Sequence, residues 1–341
     1  MSDIFNVMDS AEAARVLLLR DAASGLRAII ALDDLTLGPA CGGIRTRAYP
    51  DIRAALVDAQ QLAAAMTLKC AIAGLPAGGG KTVVLDHPGL DRPAAFRALG
   101  AHIEALGGRY RAAGDLGTTR QDLLHAAERT RYVNTTGVEL GTATGEGVVN
   151  CMRAVAAERG VALADLTVAV QGCGLIGAGV ARLLAAQGAR LIVADLDEAV
   201  AAALACEVGG TIAPVADILL APCDLVAPCA VGGVLTTEVI ERMAAWGVCG
   251  GANNQLSDAG ALEAMARRGI VYVPDFLASA GAVTYGIAHD LGDGDPAPLI
   301  ARLQTTTAAV LAAARREGIS TVDAARRLAR ARIDTARADL P

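Results

Sequence analysis

Val168-Ala-Val-Gln-Gly172-Cys-Gly174-Leu175-Ile176-Gly177 carries glycines at the GxGxxG spacing between an apolar run and an alanine-rich segment. The run from residue 166 reads as a strand, residues 178–187 as a helix and 191–193 as a second strand, which makes a βαβ unit. In that setting Gly172 permits a tight turn, Gly174 lets the backbone approach a pyrophosphate, and Gly177 lets helix pack closely on strand. Leu175 and Ile176 stand between them, and the helix N-terminus faces the phosphates. Asp195 closes the second strand eighteen residues beyond Gly177. A carboxylate there accepts hydrogen bonds from both adenosine-ribose hydroxyls and repels a 2′-phosphate, so the expected cofactor is NAD. The plainer reading, an aspartate that only ends a strand in a turn, stays open, and Arg190 on the near side of that strand weighs weakly against NAD.

Short apolar strands follow at 225–227, 246–248 and 271–272, alternating with helical segments. The alternation predicts a parallel sheet with helices on both faces. Cys229 and Ala230 follow the first of these strands, and Asn253 and Asn254 the second, as cofactor-lining loops do. An ordinary Asx turn is the competing reading for the asparagine pair. The upstream half also mixes strands, at 25–32 and 82–85, with helices at 51–66 and 93–106. Residues 142–147 are rich in glycine and threonine, which predicts a hinge between 130 and 147 and a helix over 148–159. The expected fold class is α/β with two domains, residues 1–135 and a Rossmann-type 136–315, then a helical segment over 316–341.

Composition excludes several classes. The chain has 341 residues, enough for two cores, and a net charge of −6, which disfavours nucleic-acid binding. No apolar run reaches about 18 residues, so no membrane span is expected. The start, Met1-Ser-Asp-Ile-Phe, shows no secretory pattern, and a cytoplasmic enzyme is the plain expectation. The eight cysteines form no paired framework and read as reduced core residues; the four histidines are scattered, and no metal site is expected. Arginines between 315 and 332 recur at helical spacing and read as a solvated helix face.

The chemistry concentrates upstream, in Met66-Thr-Leu-Lys69, Gly74-Leu-Pro-Ala-Gly-Gly-Gly-Lys81 and Gly114-Asp115-Leu-Gly117-Thr118. Glycines beside Lys81 leave the backbone bare for a small molecule. Residues 110–113 read as a short strand delivering Asp115, and Lys69 falls just beyond a helix C-terminus. Two amines and one acid suit a substrate that carries a carboxylate and exchanges protons at a neighbouring nitrogen. A buried lysine beside a second cation loses its proton more readily, so Lys69 would depress Lys81 into the range of a general base. Surface lysines and a helix-capping Asp115 are the plainer alternatives.

These residues, with 37–45, 108–110, 170–172, 227–230, 252–256 and 272–276, resemble the glutamate/leucine/phenylalanine/valine dehydrogenase family over nearly the whole chain, its leucine branch above all. The resemblance implies NAD-dependent, reversible oxidative deamination of an L-amino acid to a 2-oxo acid and ammonia. It makes Lys81 the base, Asp115 the proton-transfer group and Lys69 the carboxylate anchor, aided by Gly42 and Gly43. It makes Thr144 a contact of the nicotinamide amide, and the first domain the seat of substrate binding and of homo-oligomer formation. Departures stand at Ser279, where the family has asparagine at the substrate, at Gly114, at Glu146 and at Cys41, and the 135–141 region is shorter. Smaller Cys41 and Ser279 would enlarge a pocket they line, and Glu146, if it faces the cleft, would favour a polar or cationic side chain. Two other readings remain: a reductive-amination or imine-reducing relative acting on a non-standard amino acid, and a non-catalytic NAD-binding regulatory subunit.

Overall fold

The computed structural model describes Met8 and residues 15–135, 138–291 and 295–339. The opening residues read for a leader, and residues 136 and 137 of the shortened stretch, lie outside these. The described chain forms two compact units: one of residues up to 135 with 286–291 and 329–339, the other of 138–285 with 295–328. A linear partition does not foresee that the helices near the end of the chain feed both units.

The first unit is built from β1 (Arg15–Asp21), β2 (Leu26–Asp34), β3 (Ala40–Arg47), α1 (Ile52–Ile72), β4 (Gly78–Leu85), α2 (Arg92–Ala105), β5 (Tyr110–Gly114) and α3 (Arg120–Ala127). The sheet order is β1-β2-β4-β3-β5, with β1, β2 and β4 antiparallel and β4, β3 and β5 parallel. Sequence reading omitted β1 and β3. β3 is glycine- and arginine-rich, with no apolar alternation to announce it. β2 is nearly all apolar because both its faces are covered: Ile29 and Ala31 pack with Leu56, Ala59 and Ala63 of α1, while Ile30 and Leu32 pack with Phe96, Leu99 and Ile103 of α2.

The glycine run of β4 has a different purpose from the one read in the sequence. A Cβ on Gly79 would meet the Ala63 carbonyl and the Thr67 amide at 2.2 Å, and one on Gly80 would meet the Tyr110 ring at 2.9 Å. These glycines let helix and neighbouring strand close on β4; they do not bare it for a ligand. α1 also runs longer than expected, so Lys69 lies in its last turn, because no helix-breaking residue occurs before Gly74, at φ +77°.

The second unit contains α4 (Val138–Glu158), β6 (Thr167–Gln171), α5 (Leu175–Ala185), β7 (Arg190–Ala194), α6 (Glu198–Val208), β8 (Thr211–Ile212), β9 (Leu225–Pro228), α7 (Thr237–Arg242), β10 (Gly247–Val248), α8 (Gly260–Arg268), β11 (Val271–Tyr272) and α9 (Asp275–Ala278). α10 (Gly281–Leu291), α11 (Ala297–Glu317) and α12 (Thr321–Ala338) complete the chain. Six parallel strands lie in the order β8-β7-β6-β9-β10-β11, the doubly wound Rossmann arrangement. The two units divide between 135 and 138, inside the 130–147 window expected for the hinge, while residues 142–147 are themselves helical. Gly145 packs against Gly179 and Val180 of α5, and Gly147 against Leu303 and the Ala278 carbonyl, so glycine here serves close helix packing.

The arginines of α12 are not all solvated: Arg332 donates to the Cys70 and Ala71 carbonyls, satisfying the open end of α1. Among the described residues no helix is long and apolar enough to cross a membrane, and no cluster of metal-ligating side chains occurs. All eight cysteines are free thiols.

Because Gly79 faces backbone atoms that cannot yield, Gly79→Ala is expected to lower unfolding free energy by about 2–3 kcal/mol, read as an earlier urea midpoint at unchanged slope.

Candidate active site

In the first unit, β3, β4 and the turn after β5 bring Gly42, Gly43, Lys81 and Asp115 together. Lys81 projects from the centre of β4 with only 7% of its side chain exposed, and its Nζ lies 2.9 Å from Asp115 Oδ2. Gly43 is obligatory at its place: a Cβ there would stand 2.7 Å from the Asp115 Cβ. Gly42 is held likewise, facing the Gly80 carbonyl, while its own carbonyl accepts from the buried Tyr110 hydroxyl at 3.2 Å. Asp115 does not cap a helix. Thr119 caps α3 in a reciprocal capping box with Asp122, which leaves the Asp115 carboxylate for the cations around it.

Sequence reasoning missed Arg45. Its Nε donates to the same Asp115 oxygen at 2.8 Å, and its Nη1 donates to both oxygens of Asp58 on α1, at 3.2 and 3.3 Å. The Tyr49 hydroxyl donates to Asp58 Oδ2 at 2.5 Å. Burial lowers the Lys81 pKa; Asp115 opposes the shift and the Arg45 charge adds to it. The like charge beside Lys81 is therefore Arg45, which takes the part that the sequence assigned to Lys69. For Asp115, burial alone would raise the pKa, but Lys81 and Arg45 together outweigh it and hold the carboxyl below its ordinary value. Both pKa values fall, but for different reasons: two cations stabilise the more exposed carboxylate as an anion, whereas burial of the amine outweighs its ion pair and disfavours the ammonium.

Lys69 is half-buried on the same helix as Asp58, eleven residues further on. At 3.6 residues per turn that spacing returns to one face, about 16 Å along the axis. Cys41 is buried beside Gly42, its thiol donating to the Pro39 carbonyl at 3.6 Å. Ser279, in the second unit, turns its hydroxyl to the Asp275 carbonyl at 2.7 Å and to Asn253 Oδ1 at 3.3 Å. That side chain ties α9 to the asparagine loop. Glu146 is half-buried on α4.

The expected nucleotide residues converge at the switch point of the parallel sheet, where β6 and β9 are neighbours. Gly172 has φ +92°, and a Cβ there would strike Ala230 at 2.7 Å, which places Cys229 and Ala230 directly beside the glycine turn. Gly177 sits against the Gly172 carbonyl, so helix and strand close as expected. A Cβ on Gly174 would meet nothing within 4 Å. Fold packing therefore does not demand glycine at 174. α5 begins at Leu175 with no side-chain cap, leaving its amides for an anion.

Asp195 follows β7 and accepts from the Cys173 amide at 2.7 Å and the Asp197 amide at 3.0 Å, which keeps its carboxyl ionised well into acid pH. Asp197, not Asp195, caps α6. Arg190 lies at the opposite end of β7, donating to Thr167 and to the Asp165 carbonyl, so it does not reach a 2′-phosphate beside Asp195. Ile176 and the Thr144 methyl lie against Gly251, just before Asn253 and Asn254. The Thr144 hydroxyl donates to the Leu140 carbonyl at 2.8 Å. Asn254 takes φ +52°, with its amide donating to Asp275 and its carbonyl accepting from Gly233. These residues fit a dinucleotide: an open glycine turn, a free helix N-terminus and a fixed acid at the ribose position.

The second unit thus defines a nicotinamide-nucleotide dehydrogenase, an oxidoreductase with a separate α/β unit that carries buried acid–base groups. The profile of the Glu/Leu/Phe/Val dehydrogenase dimerisation domain matches residues 14–132, and that of Glutamate/Leucine/Phenylalanine/Valine dehydrogenase matches 197–288. The chain is 38% identical to leucine dehydrogenase of Geobacillus stearothermophilus over 98% of its own length and 94% of that protein. It is 38% identical to valine dehydrogenase of Streptomyces albus, covering 95% and 93%. The crystal structure of L-tryptophan dehydrogenase from Nostoc punctiforme superposes with a TM-score of 0.89 at 32% identity, covering 98% of this chain and 100% of that one. The chain belongs to the glutamate/leucine/phenylalanine/valine dehydrogenase family and is an amino acid dehydrogenase.

Since nothing in the fold contacts a methyl group at position 174, Gly174→Ala is expected to leave the melting temperature within about 2 °C while weakening nucleotide binding about tenfold or more, measured by calorimetric titration.

Proposed function

We propose that this protein catalyses the reversible, NAD-dependent oxidative deamination of an L-amino acid with an apolar side chain to its 2-oxo acid and ammonia. The observation that carries the reading is the buried Lys81 amine, 2.9 Å from Asp115 and depressed in pKa. The glycine turn at 172–177 and Asp195 would hold the nicotinamide nucleotide, which would supply the hydride acceptor for the substrate α-carbon. The chain's own residues then manage protons. Lys81, neutral, takes a proton from water as the oxygen bonds to the imine carbon. Asp115, held as an anion by Arg45 while Lys81 is neutral, passes protons to and from the amino nitrogen until ammonia leaves and the carbonyl forms. Lys69, at the C-terminal turn of α1, anchors the substrate carboxylate, aided by the backbone at Gly42 and Gly43. Residues 1–135 bind substrate and 136–315 bind nucleotide.

NAD is favoured over NADP because the ionised Asp195 stands where a 2′-phosphate would be repelled, and Arg190 is engaged at the far end of β7. The apolar substrate class is supported by the leucine, valine and tryptophan dehydrogenases this chain is similar to, and small residues at Cys41 and Gly114 suit a roomy pocket. A homo-oligomer formed through the first unit is supported by the dimerisation-domain match over 14–132; light scattering that returns a 34.5 kDa monomer would remove it.

An NADH-formation screen across the proteinogenic amino acids, with diamino and hydroxy amino acids added, is expected to give turnover with one or more apolar L-amino acids. Lys81→Ala is expected to cut kcat by about 10²–10⁴-fold while NAD still binds. No turnover by the parent with any amino acid, in either direction, would leave a nucleotide-binding subunit as the better reading.

A further inference from the structure

Arg45 lies between two carboxylates that come from different parts of the chain, Asp115 seventy residues downstream and Asp58 thirteen residues downstream. Its side chain is 18% exposed, and its planar fork gives Nε to one acid and Nη1 to the other. The Tyr49 hydroxyl fixes Asp58 from a third direction. An arginine pinned at both ends has no freedom to leave the Asp115 oxygen that Lys81 also uses.

We infer that Arg45, clamped by Asp58 and Tyr49, is a positioning residue for deamination: it holds Asp115 ionised and in place, and by sharing the Asp115 oxygen it keeps Lys81 from being locked as an ammonium. The inference rests on the roles of Lys81 and Asp115 proposed above. Without Arg45, Lys81 would have the whole Asp115 charge to itself, an arrangement that stabilises the protonated and catalytically idle amine.

Titratable groups on the elements packed about Lys81 include Asp33 and Asp34 on β2, Cys41 and Arg45 on β3, Asp58 and Lys69 on α1, Tyr110 on β5 and Asp115 after it. Asp115 and Asp58 favour the ammonium, while Arg45 and burial oppose it. A base must be neutral, so deamination rises with pH through the Lys81 pKa, and removing the Arg45 charge moves that rise to higher pH.

The test compares parent, Arg45→Gln, Arg45→Lys and Asp58→Asn enzymes for kcat and KM in the deamination direction against pH, together with the Lys81 ¹⁵Nζ resonance of each. Arg45→Gln is expected to move both the kcat limb and the Lys81 titration up by about one pH unit, costing about tenfold in kcat below the limb and under about threefold above it. Arg45→Lys, which has one donor centre for two acids, moves the limb up by less, and Asp58→Asn, which removes an anion that itself favours the ammonium, moves it down. KM for the amino acid stays within about threefold throughout.

A limb and a resonance that both stay in place, with kcat reduced equally at every pH, would overturn the inference, because that is the signature of simple structural damage. If Arg45→Gln does not fold, the upward shift in Arg45→Lys, or its absence, decides in the same way. The resonance does not depend on turnover. A parent that titrates as expected yet deaminates nothing therefore refutes the proposed function and not the Arg45–Lys81 coupling.

Discussion

The contact between the Lys81 amine and the Asp115 carboxylate, made inside a sheet that helix α1 covers, is what the rest of the first unit is arranged to permit. A lysine with 7% of its side chain exposed is costly as an ammonium and needs a partner. One anion, itself shared with Arg45, is enough to hold the amine in place but does not cancel the effect of burial. The glycines around it follow from the same demand. Gly79 admits α1, Gly80 admits Tyr110, and Gly43 admits Asp115, each at a distance no larger residue allows. Tight packing, in this site, is what shifts the chemistry of a common side chain.

The second unit obeys a separate constraint. At its switch point the backbone must turn sharply, leave the room proposed for a pyrophosphate and pack back on itself within six residues. Gly172, Gly174 and Gly177 divide those tasks. Two of them are enforced by contacts within the fold, with Ala230 and with the Gly172 carbonyl, and one by empty space. Asp195 is coupled to the same turn through the Cys173 amide, so the acid proposed to read the ribose and the glycine turn share one hydrogen bond. Ser279 belongs to this arrangement as well. Its hydroxyl joins α9 to Asn253, which is a supporting place for a residue that was expected at the substrate.

Much of this was legible in the chain because it depends on local pattern. The βαβ alternation, the glycine spacing, Asp195, and the Lys81 and Asp115 pair in their glycine-rich settings all lie within short windows. Arg45 was passed over as part of a motif, since its meaning comes from Asp58 and Asp115, thirteen and seventy residues away. Glycine was the most ambiguous letter. Around 78–80 it looked like space for a ligand, whereas there, as at Gly145 and Gly147, it marks a close approach of two elements. A residue without a side chain records that something comes near, and not what.

By itself, then, the amino-acid order determined the fold class and the family, and it singled out the groups proposed to react, because periodicity and motif spacing act over a few residues and need no partner. Which cation stands beside the buried amine, which glycines leave open space and which admit a helix, and where Ser279 directs its hydroxyl were decided only in three dimensions. The physical reason is that charge coupling and steric exclusion depend on distances of a few ångströms, and those distances are set when strands that lie far apart in the chain become neighbours.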